Sequence, residues 1–389
     1  MIQLLFWVAL ALLLHTYVIY PVLAMLVPRR GAALSCDARP PVSILVAAHN
    51  EDTVIGPKIE NFFALDYPAD KLELIIFDDG SVDATAETAR RITDARVRVI
   101  GCEVRGGKAA AVNQMVTEAA YPTLLLTDAN VSLRTDAVQQ LVKHFRDEKV
   151  GAVTGAVRLI GSDQQFRSGE SLYYRLERRI QRAESQLSSV MGVDGGMYAL
   201  RRELFQPIPT DTILDDFLIS MNVLRASRRI VYEPTATASE TGTPSSRQEF
   251  HRRVRIAAGA VQLLRRGNVP RWNQCAIWFQ FISHKLLRWI SPLLITILLG
   301  CSILLARDSL MYSETLLSLG ILIGGMLLAL VVPRLRSTAL DGIFFYFGLS
   351  QIAMAWGILR GVLNRQPPQW EKARRVEGDV SRKMTGTER

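Results

Sequence analysis

Residues 72–83, LELIIFDDGSVD, decide the fold class of this chain. An apolar run followed by Asp78, Asp79 and Gly80 is typical of a buried strand that ends in a polar turn. Because strand and helix patterns alternate around it, we expect an α/β domain with a mainly parallel sheet and helices on both faces. The other expected strands are residues 42–47, 97–100 and 123–127, and the expected helices are residues 82–93 and 107–119.

The composition allows one sizeable domain and several membrane segments. The chain has 389 residues, of which 49% are hydrophobic and 21% charged, and its formal net charge is +9. These values exclude a disordered chain and a purely hydrophobic transporter. The four cysteines are far apart and show no C-x-x-C spacing, so neither a zinc site nor a disulfide framework is predicted.

An apolar segment opens the chain. Residues 2–27 contain no Asp, Glu, Lys or Arg and are about long enough to cross a bilayer core. The segment lacks the basic start of a secretory signal and is followed by Arg29 and Arg30. We therefore predict an uncleaved anchor over residues 1–28, with its arginine end in the cytoplasm and the main domain, residues 40–264, on the same side.

The C-terminal third again favours a membrane. A basic amphipathic stretch after Arg247 leads into an aromatic and cationic region, which predicts interfacial helices over residues 265–289. Three apolar segments follow within residues 290–363, and a basic tail covers residues 364–389. Three further spans would place this tail outside, whereas its charge favours the inside. Since the first segment is short and contains Pro292, it is alternatively re-entrant, and the total stays open at three or four spans.

Two predicted strand ends carry side chains suited to a nucleotide. Residues 47–51, AAHNE, lie at a strand-to-helix turn, where polar groups and free amides can hold a base and a ribose. Asp78 and Asp79 at the next strand end require donors, water or a cation, because burying carboxylates alone is costly. Helix capping and ordinary turn chemistry are the alternatives for both motifs.

The next motifs suit a diphosphate and a metal. Gly106, Gly107 and Lys108 begin a predicted helix, where close backbone approach and a lysine favour phosphate, although the P-loop spacing is absent. Asp128 and Asn130 follow the apolar strand 123–127. Side chains two residues apart on an extended chain point the same way, so these two are candidate ligands of Mg²⁺ or Mn²⁺. A capped turn is the alternative.

Asp215 and Asp216 form a further carboxylate pair. Like charges held together raise at least one pKa, which prepares a carboxylate to take a proton from a hydroxyl group. The alternative is an acid-rich helix N-terminus.

With these motifs in this order, the chain resembles the membrane-integrated family 2 glycosyltransferases, relatives of the cellulose, hyaluronan and chitin synthases and of the ceramide glucosyltransferases. The resemblance implies the GT-A fold and an inverting transfer from a nucleotide-diphosphate sugar. It places Asp79 at the base and Lys108 near the donor. The other implied roles are nucleotide-sugar binding for Ala47, Asn50 and Glu51, diphosphate and metal binding for Asp128, acceptor binding for Gly195 and Gly196, and the general base for Asp216 beside Asp215.

Two positions depart from the family pattern. The usual D-x-D motif has Asn130 as its second member, which implies a weaker metal site with one fewer charge. The family's Q-x-x-R-W motif appears as Arg252, Arg253, Val254, Arg255 and Ile256. Arg255 retains the cation expected at the leaving diphosphate, whereas the missing tryptophan argues against processive polymerisation. Binding of anionic lipid is the alternative role of these arginines.

The sequence thus predicts a multi-pass protein of the inner or plasma membrane. We expect it to move a sugar, with a UDP-sugar as the first expectation, to a lipid or a growing polysaccharide at the cytoplasmic face. The alternative function is a weakly active or inactive scaffold or nucleotide-sugar sensor with the same fold. Nucleic acid is disfavoured as a partner, because the arginines cluster beside apolar segments. The donor sugar, the acceptor and any export partner are left open.

Overall fold

The computed structural model of the protein describes residues 1–27, 39–160, 167–241, 246–332 and 339–369. Arg29, Arg30 and the tail from residue 370, on which the predicted orientation rests, lie outside these ranges. The chain divides into two compact units. Unit 1 comprises residues 1–31, 163–191 and 245–366, and unit 2 comprises residues 32–162, 192–244 and 367–389.

In the described part of unit 2, eight strands form one sheet in the order β3-β2-β1-β4-β7-β6-β8-β5. The predicted strands are present and differ from the prediction by at most two residues at their ends. The strands are β1 Val42–Ala48, β2 Leu72–Asp79, β3 Val97–Cys102, β4 Thr123–Thr127, β5 Val131–Leu133, β6 Val150–Ile160, β7 Met197–Arg201 and β8 Arg229–Thr241.

The two halves of the sheet differ in strand direction. Among themselves, strands β1 to β4 pair in parallel, in agreement with the predicted strand-helix alternation. Strand β7 runs antiparallel to both β4 and β6, and β5 runs antiparallel to β8, whereas β6 and β8 are parallel. The parallel half therefore brings the carboxyl ends of β1, β2 and β4 to one edge, while β7 begins at that same edge.

Among the residues of unit 2 that the structure describes, five α-helices accompany the strands. They are α3 Asp52–Phe63, α4 Thr85–Arg90, α5 Lys108–Glu118, α6 Ala137–Val142 and α8 Asp215–Arg225. Helix α4 begins three residues later than predicted, at the point where Asp83 accepts a hydrogen bond from the Thr85 amide (3.0 Å), and it ends three residues earlier, at Arg90. Alternate residues of β1 pack in one core cluster with α3 and α6, and the intervening Leu45 is equally buried. Both faces of the sheet are therefore covered, as predicted.

The regular secondary structure in the described part of unit 1 is all helical. The first helix is continuous through a π-helical turn, with α1 Ile2–Leu14, the turn His15–Ile19 and α2 Tyr20–Leu26. A second continuous helix comprises α10 Cys275–Gln280, the π-helical turn Phe281–Leu286 and α11 Leu287–Leu305. The remaining helices are α7 Arg167–Leu187, α9 Ser246–Arg265, α12 Leu310–Val331 and α13 Ala339–Val362.

Three helices within the described ranges are long and apolar enough to cross a membrane, namely Ile2–Leu26, Cys275–Leu305 and Leu310–Leu328. The predicted anchor is the first of them. Pro292 lies inside the second, which has 31 residues, so the shortness behind the re-entrant alternative is absent. This helix also continues across residue 289, where the prediction separated an interfacial region from a span.

The predicted domain 40–264 includes two helices that belong to unit 1. Helix α7 follows β6 in the chain, yet it packs on α13 and α2, and α9 packs on α13. Gly361 of α13 explains the close approach of α9, because a Cβ atom there would lie 2.9 Å from the Ala258 Cα. The polar sequences of α7 and α9 hid this packing, since only a narrow stripe of each helix is apolar.

Unit 1 also contains a buried ion cluster, formed by Glu177, Glu184, His284 and Arg288. The His284 imidazole is fully buried, with its Nδ1 atom 2.7 Å from Glu184 Oε1 and its Nε2 atom 2.8 Å from Glu177 Oε1. Arg288 donates to Glu177 Oε2 (2.6 Å), and the Tyr20 hydroxyl donates to Glu184 Oε1 (2.6 Å). The cluster thus joins α7 to the second continuous helix through His284 and Arg288, and the hydrogen bond of Tyr20 joins α7 to the first.

Candidate functional site

Asp79 joins two of the predicted motifs. Its carboxylate is fully buried and accepts hydrogen bonds from the amides of Gly106 (2.7 Å) and Gly107 (2.9 Å). Gly80, at φ 65°, permits the turn, and a Cβ atom there would lie 2.9 Å from the Arg105 amide nitrogen. The end of β2 and the start of α5 are therefore held together by one aspartate.

The motif at residues 47–51 lies beside the same turn. Asn50, at φ 56°, accepts from the Val82 amide (2.9 Å) through Oδ1, and its own amide donates to Ser81 Oγ (2.9 Å). The Glu51 amide donates to Thr85 Oγ1 (2.7 Å). Ala47 lies opposite Phe77 in the pairing of β1 with β2. Since the Asn50 side chain binds the loop after β2 rather than the start of α3, capping of α3 does not explain it.

Lys108 connects the start of α5 with the carboxylates. Its Nζ atom lies 2.7 Å from Asp128 Oδ1 and 4.0 Å from Asp215 Oδ2. Burial alone would lower the pKa of Lys108, but Asp128 and Asp215 outweigh it and hold that pKa well above its ordinary value. The lysine is therefore a permanent cation among three acids, and we call Asp128, Asp215 and Asp216 the acidic cluster.

Asp128 and Asn130 do not lie on an extended chain, which corrects the geometry behind the metal prediction. Strand β4 ends at Thr127, and the Val131 amide donates to the Asp128 carbonyl (3.2 Å), so the two residues occupy a tight turn before β5. The Asn130 amide group donates to Glu240 Oε1 (3.2 Å). The alternation of an extended chain therefore gives no information about where these two side chains point.

The donor set still fits one kind of metal. No group of three or more His, Cys, Asp or Glu able to hold a metal ion occurs in the described ranges. The oxygen atoms of Asp128 and Asn130 suit a hard cation that takes one or two protein ligands and completes its shell with phosphate and water. These residues therefore fit Mg²⁺ or Mn²⁺ shared with a diphosphate, and they do not fit a cage made by the protein alone.

A second lysine, Lys58, contacts both ends of the turn that carries Asp128 and Asn130. Its Nζ atom donates to Thr127 Oγ1 (3.1 Å) and to the Val131 carbonyl, the two residues that flank the turn. Burial lowers the pKa of Lys58 to about 7, and the nearby Asp128 partly opposes this shift. The contacts of Lys58 fix the ends of β4 and β5, and thereby the position of Asp128.

Asp216 lies at the first turn of α8, where Oδ1 accepts from the Phe217 amide (2.7 Å). Burial and then the charge of Asp215 raise the pKa of Asp216 to about 6, against the lowering effect of Lys108. A carboxylate with this pKa is suited to accept a proton near neutral pH. Helix α8 begins without a side-chain capping hydrogen bond, and the pKa of Asp216 is raised, so an acid-rich helix N-terminus does not by itself account for the pair.

The predicted acceptor loop touches this carboxylate. A Cβ atom on Gly195 would lie 2.9 Å from Asp216 Oδ2, so a larger residue at this position would displace the carboxylate. The loop is held by the Asp194 amide, which donates to Thr154 Oγ1 (2.8 Å), and by the Gly196 amide, which donates to Asp194 Oδ1 (3.1 Å). Gly195 and Gly196 therefore border the acidic cluster.

Unit 2 thus brings together all but one of the predicted site residues. Contacts run from Asp79 through the loop at Gly107 to Lys108, and from Lys108 to the acidic cluster. Arg255 is the exception, because it lies on α9 in unit 1, where it is half-buried. Its role at a leaving diphosphate stays a prediction.

Sequence reasoning missed Lys58 and Tyr198. Lys58 could have been found, because it lies on the same helical stripe as Val54, Ile55 and Ile59, where a lysine is unusual. Tyr198 lies in β7, a strand whose residues 197–200 are all buried, and an aromatic residue in such a strand gives no signal of function.

Known proteins resemble this chain over the same region. Residues 43–208 match the Glycosyl transferase family 2 model. Poly-beta-1,6-N-acetyl-D-glucosamine synthase of Staphylococcus aureus (strain COL) is 28% identical over 239 residues, which are 60% of this chain and 58% of that protein. The synthase of the same name from Staphylococcus epidermidis is 26% identical over 231 residues, 58% of this chain and 56% of the relative. The chain therefore spans less than three fifths of the length of these curated relatives.

A solved structure agrees in fold. The mannosyltransferase PcManGT from Pyrobaculum calidifontis, in complex with GDP-Man and Mn²⁺, superposes with a TM-score of 0.73 at 23% identity and covers 93% of this chain and 100% of its own. At this level of identity the likeness establishes the architecture. Residues 43–208 therefore match the family 2 glycosyltransferase model, and the chain has the architecture of the GT-A fold.

Proposed function

We propose that this protein transfers a sugar from a nucleotide-diphosphate sugar to a growing saccharide or a lipid acceptor at the cytoplasmic face of a cell membrane. The observation that carries the proposal is the path of contacts from Asp79 to the acidic cluster within one unit. An inverting transfer requires a binding site for the nucleotide base, a cation that faces the diphosphate, and a carboxylate with a raised pKa that acts as the general base.

The donor end of the site is the β1, β2 and α5 region. Asp79, Ala47, Asn50 and Glu51 surround the place proposed for the base and ribose. Lys108 faces the diphosphate with a fixed positive charge. Asp128, with the Asn130 amide oxygen, is the proposed ligand of Mg²⁺ or Mn²⁺, which when bound neutralises charge on the phosphates.

The acceptor end is formed by α8 and the glycine loop. Asp216 takes the proton from the attacking hydroxyl, and Asp215 raises the pKa of Asp216 into the range where it works near neutral pH. Gly195 and Gly196 are the proposed border of the acceptor site, because Gly195 lies close to the Asp216 carboxylate. The named synthases make a poly-N-acetylglucosamine, so a saccharide acceptor and a UDP-linked N-acetylglucosamine donor are the first pair to test.

Orientation in the membrane completes the proposal. Arg29 and Arg30 follow the first apolar helix, and such positive residues favour the cytoplasmic side. This orientation places unit 2 where nucleotide sugars are made. Arg255 is proposed to stabilise the leaving diphosphate.

The second candidate function is a nucleotide-sugar sensor without transferase activity, which Asn130 favours because one metal-binding charge is missing. A panel of UDP- and GDP-sugars separates the two functions. Purified full-length protein with Mn²⁺ is first screened for a rise in melting temperature, and each stabilising donor is then incubated with short saccharides and analysed by mass spectrometry. We expect one donor to stabilise the protein and extend a saccharide. Stabilisation without any product supports the sensor.

A further inference from the structure

Tyr198 carries a buried hydroxyl group that the fold leaves unused. The residue lies in β7 and is 2% exposed, and its Oη atom makes no hydrogen bond with any residue that the structure describes. A buried polar group without a partner destabilises a folded protein, and native structures contain few of them. When such a group lies in a binding site, its missing hydrogen bond is one that a bound ligand can supply.

The sheet places Tyr198 next to the acceptor loop. Strand β7 lies between β4 and β6, and Tyr198 is directly opposite Leu126 on one side and Thr154 on the other. Cross-strand neighbours project from the same face of a sheet. The Thr154 hydroxyl accepts a hydrogen bond from the Asp194 amide and so holds the loop that carries Gly195.

The charges around Tyr198 determine which ligand group it can bind. Burial, followed by the charges of Asp215, Asp216 and Asp128, holds the pKa of Tyr198 well above its ordinary value, so the phenol keeps its proton. The negative charges of Asp215 and Asp216 disfavour an anionic ligand group at this hydroxyl, whereas the proposed diphosphate is held by Lys108 and the metal. The hydroxyl therefore has a proton to donate to an uncharged oxygen atom.

A second polar atom in this cluster lacks a hydrogen bond. Asp215 is 7% exposed, and its Oδ2 atom has no hydrogen-bond partner within the described ranges, its nearest recorded cation being Lys108 at 4.0 Å. The donor Tyr198 Oη and the acceptor Asp215 Oδ2 are thus both without a hydrogen bond to any described residue, and both lie in acidic surroundings. A sugar hydroxyl satisfies both, because it accepts one hydrogen bond and donates another.

We propose that Tyr198 and Asp215 bind a hydroxyl group of the acceptor sugar, with Tyr198 as the donor and Asp215 as the acceptor, and thereby hold the sugar beside Asp216. This inference rests on the proposed function and names two residues of its acceptor site. Asp216 remains the base, and Tyr198 contributes to acceptor affinity rather than to the proton transfer.

The variant Tyr198→Phe tests this role, because it removes only the hydroxyl group. We expect kcat/KM for a short oligosaccharide acceptor to fall about tenfold, mainly through KM, which is the effect of losing one hydrogen bond. Donor binding is expected to stay at the wild-type level. The rate of donor hydrolysis, in which water takes the place of the acceptor sugar, is also expected to stay unchanged. The melting temperature should stay the same or rise slightly, because an unpartnered buried hydroxyl disappears.

Monodeoxy acceptors sharpen the test. Wild-type protein should lose about tenfold in kcat/KM with the analogue that lacks the bound hydroxyl, whereas Tyr198→Phe should not distinguish that analogue from the parent sugar. Tyr121→Phe is the matched control, because the Tyr121 hydroxyl donates to the Asp70 carbonyl (3.1 Å) at the opposite edge of the sheet, and it should behave as wild type.

Three results would overturn the inference. The first is a Tyr198→Phe protein with wild-type acceptor kinetics, and the second is one whose donor affinity falls instead. The third is a loss of melting temperature that accompanies the kinetic loss, which assigns the hydroxyl to folding. A wild-type protein that transfers no sugar contradicts the proposed function itself, whereas an active wild type with an unaffected variant contradicts only the role of Tyr198.

Discussion

The acidic cluster of unit 2 and the buried ion cluster of unit 1 both concentrate charge away from water, but they satisfy it differently. In unit 1, both nitrogen atoms of His284 lie against carboxylates, and Arg288 pairs with Glu177. In unit 2, three carboxylates share Lys108, while Asp215 Oδ2 and Tyr198 Oη make no hydrogen bond within the described ranges.

This difference separates a structural cluster from a binding site. Paired charges hold helices together, since breaking one pair leaves an uncompensated charge in a low-dielectric interior. Burial disfavours ionisation of Glu177, but His284 and Arg288 outweigh burial and hold the pKa of Glu177 well below its ordinary value. The acidic cluster has the opposite property, because the pKa of Asp216 is raised and both the acceptor Asp215 Oδ2 and the donor Tyr198 Oη make no hydrogen bond in the part of the chain that the structure describes.

The largest expected effect is on the stability of unit 1. His284→Ala leaves two buried glutamates without the group between them, and we expect a loss of about 3–5 kcal/mol in the free energy of unfolding. Thermal unfolding of the detergent-solubilised protein measures it. His251→Ala is the control, because that histidine is exposed on α9. Equal stabilities of the two variants would contradict the structural role of the buried ion cluster.

A smaller effect is expected at the metal turn. Asn130→Asp restores a second carboxylate and places it beside Glu240, so the variant should be less stable than wild type in EDTA and gain more from Mn²⁺. The Mn²⁺ concentration for half-maximal transfer should fall by about tenfold. A metal titration of initial rates checks this value, and an unchanged midpoint would remove Asn130 from the ligand set.

The smallest effect is a shift in pH dependence. Since the base must be ionised, kcat/KM should fall as the pH drops through about 6, the value to which burial and Asp215 raise the pKa of Asp216. Because folding raises the pKa of Asp216, the stability contributed by its protonated form is full below the ordinary pKa of an aspartate and is lost as the pH rises through about 6. Asp215→Asn should move the rising limb to lower pH. A limb near pH 4 in the wild type would argue for another base.

Much of the fold could be predicted from the sequence, because hydrophobic pattern decides where strands form. The run 123–127 became β4 with the predicted ends, and β2 followed from the run before Asp78. The antiparallel entry of β7 could not be predicted, since it depends on the path of the chain through α7. The packing of α7 and α9 in unit 1 was missed for a similar reason, because both sequences are polar overall.

The proximity of the predicted site residues could be predicted only where it follows from the ends of the strands. Asp79, Lys108 and Asp128 follow strands that meet at one edge, so their proximity follows from topology. The turn at Asn130 was misjudged, because a two-residue alternation assumes an extended chain. Nothing in the sequence indicated that Tyr198 has a function, since a tyrosine in a buried strand is normally a core residue. Only the structure shows that its hydroxyl group makes no hydrogen bond with the residues described.

Asp216→Asn tests the central claim most directly, because it removes the base from the acidic cluster while keeping the size of the side chain. Donor affinity and sugar transfer are measured on the same purified full-length protein, by titration of the nucleotide sugar and by product mass spectrometry. The account predicts donor affinity equal to that of the wild type and a loss of transfer of about 10²–10⁴-fold. Transfer at the wild-type rate, or loss of donor binding together with transfer, would contradict it.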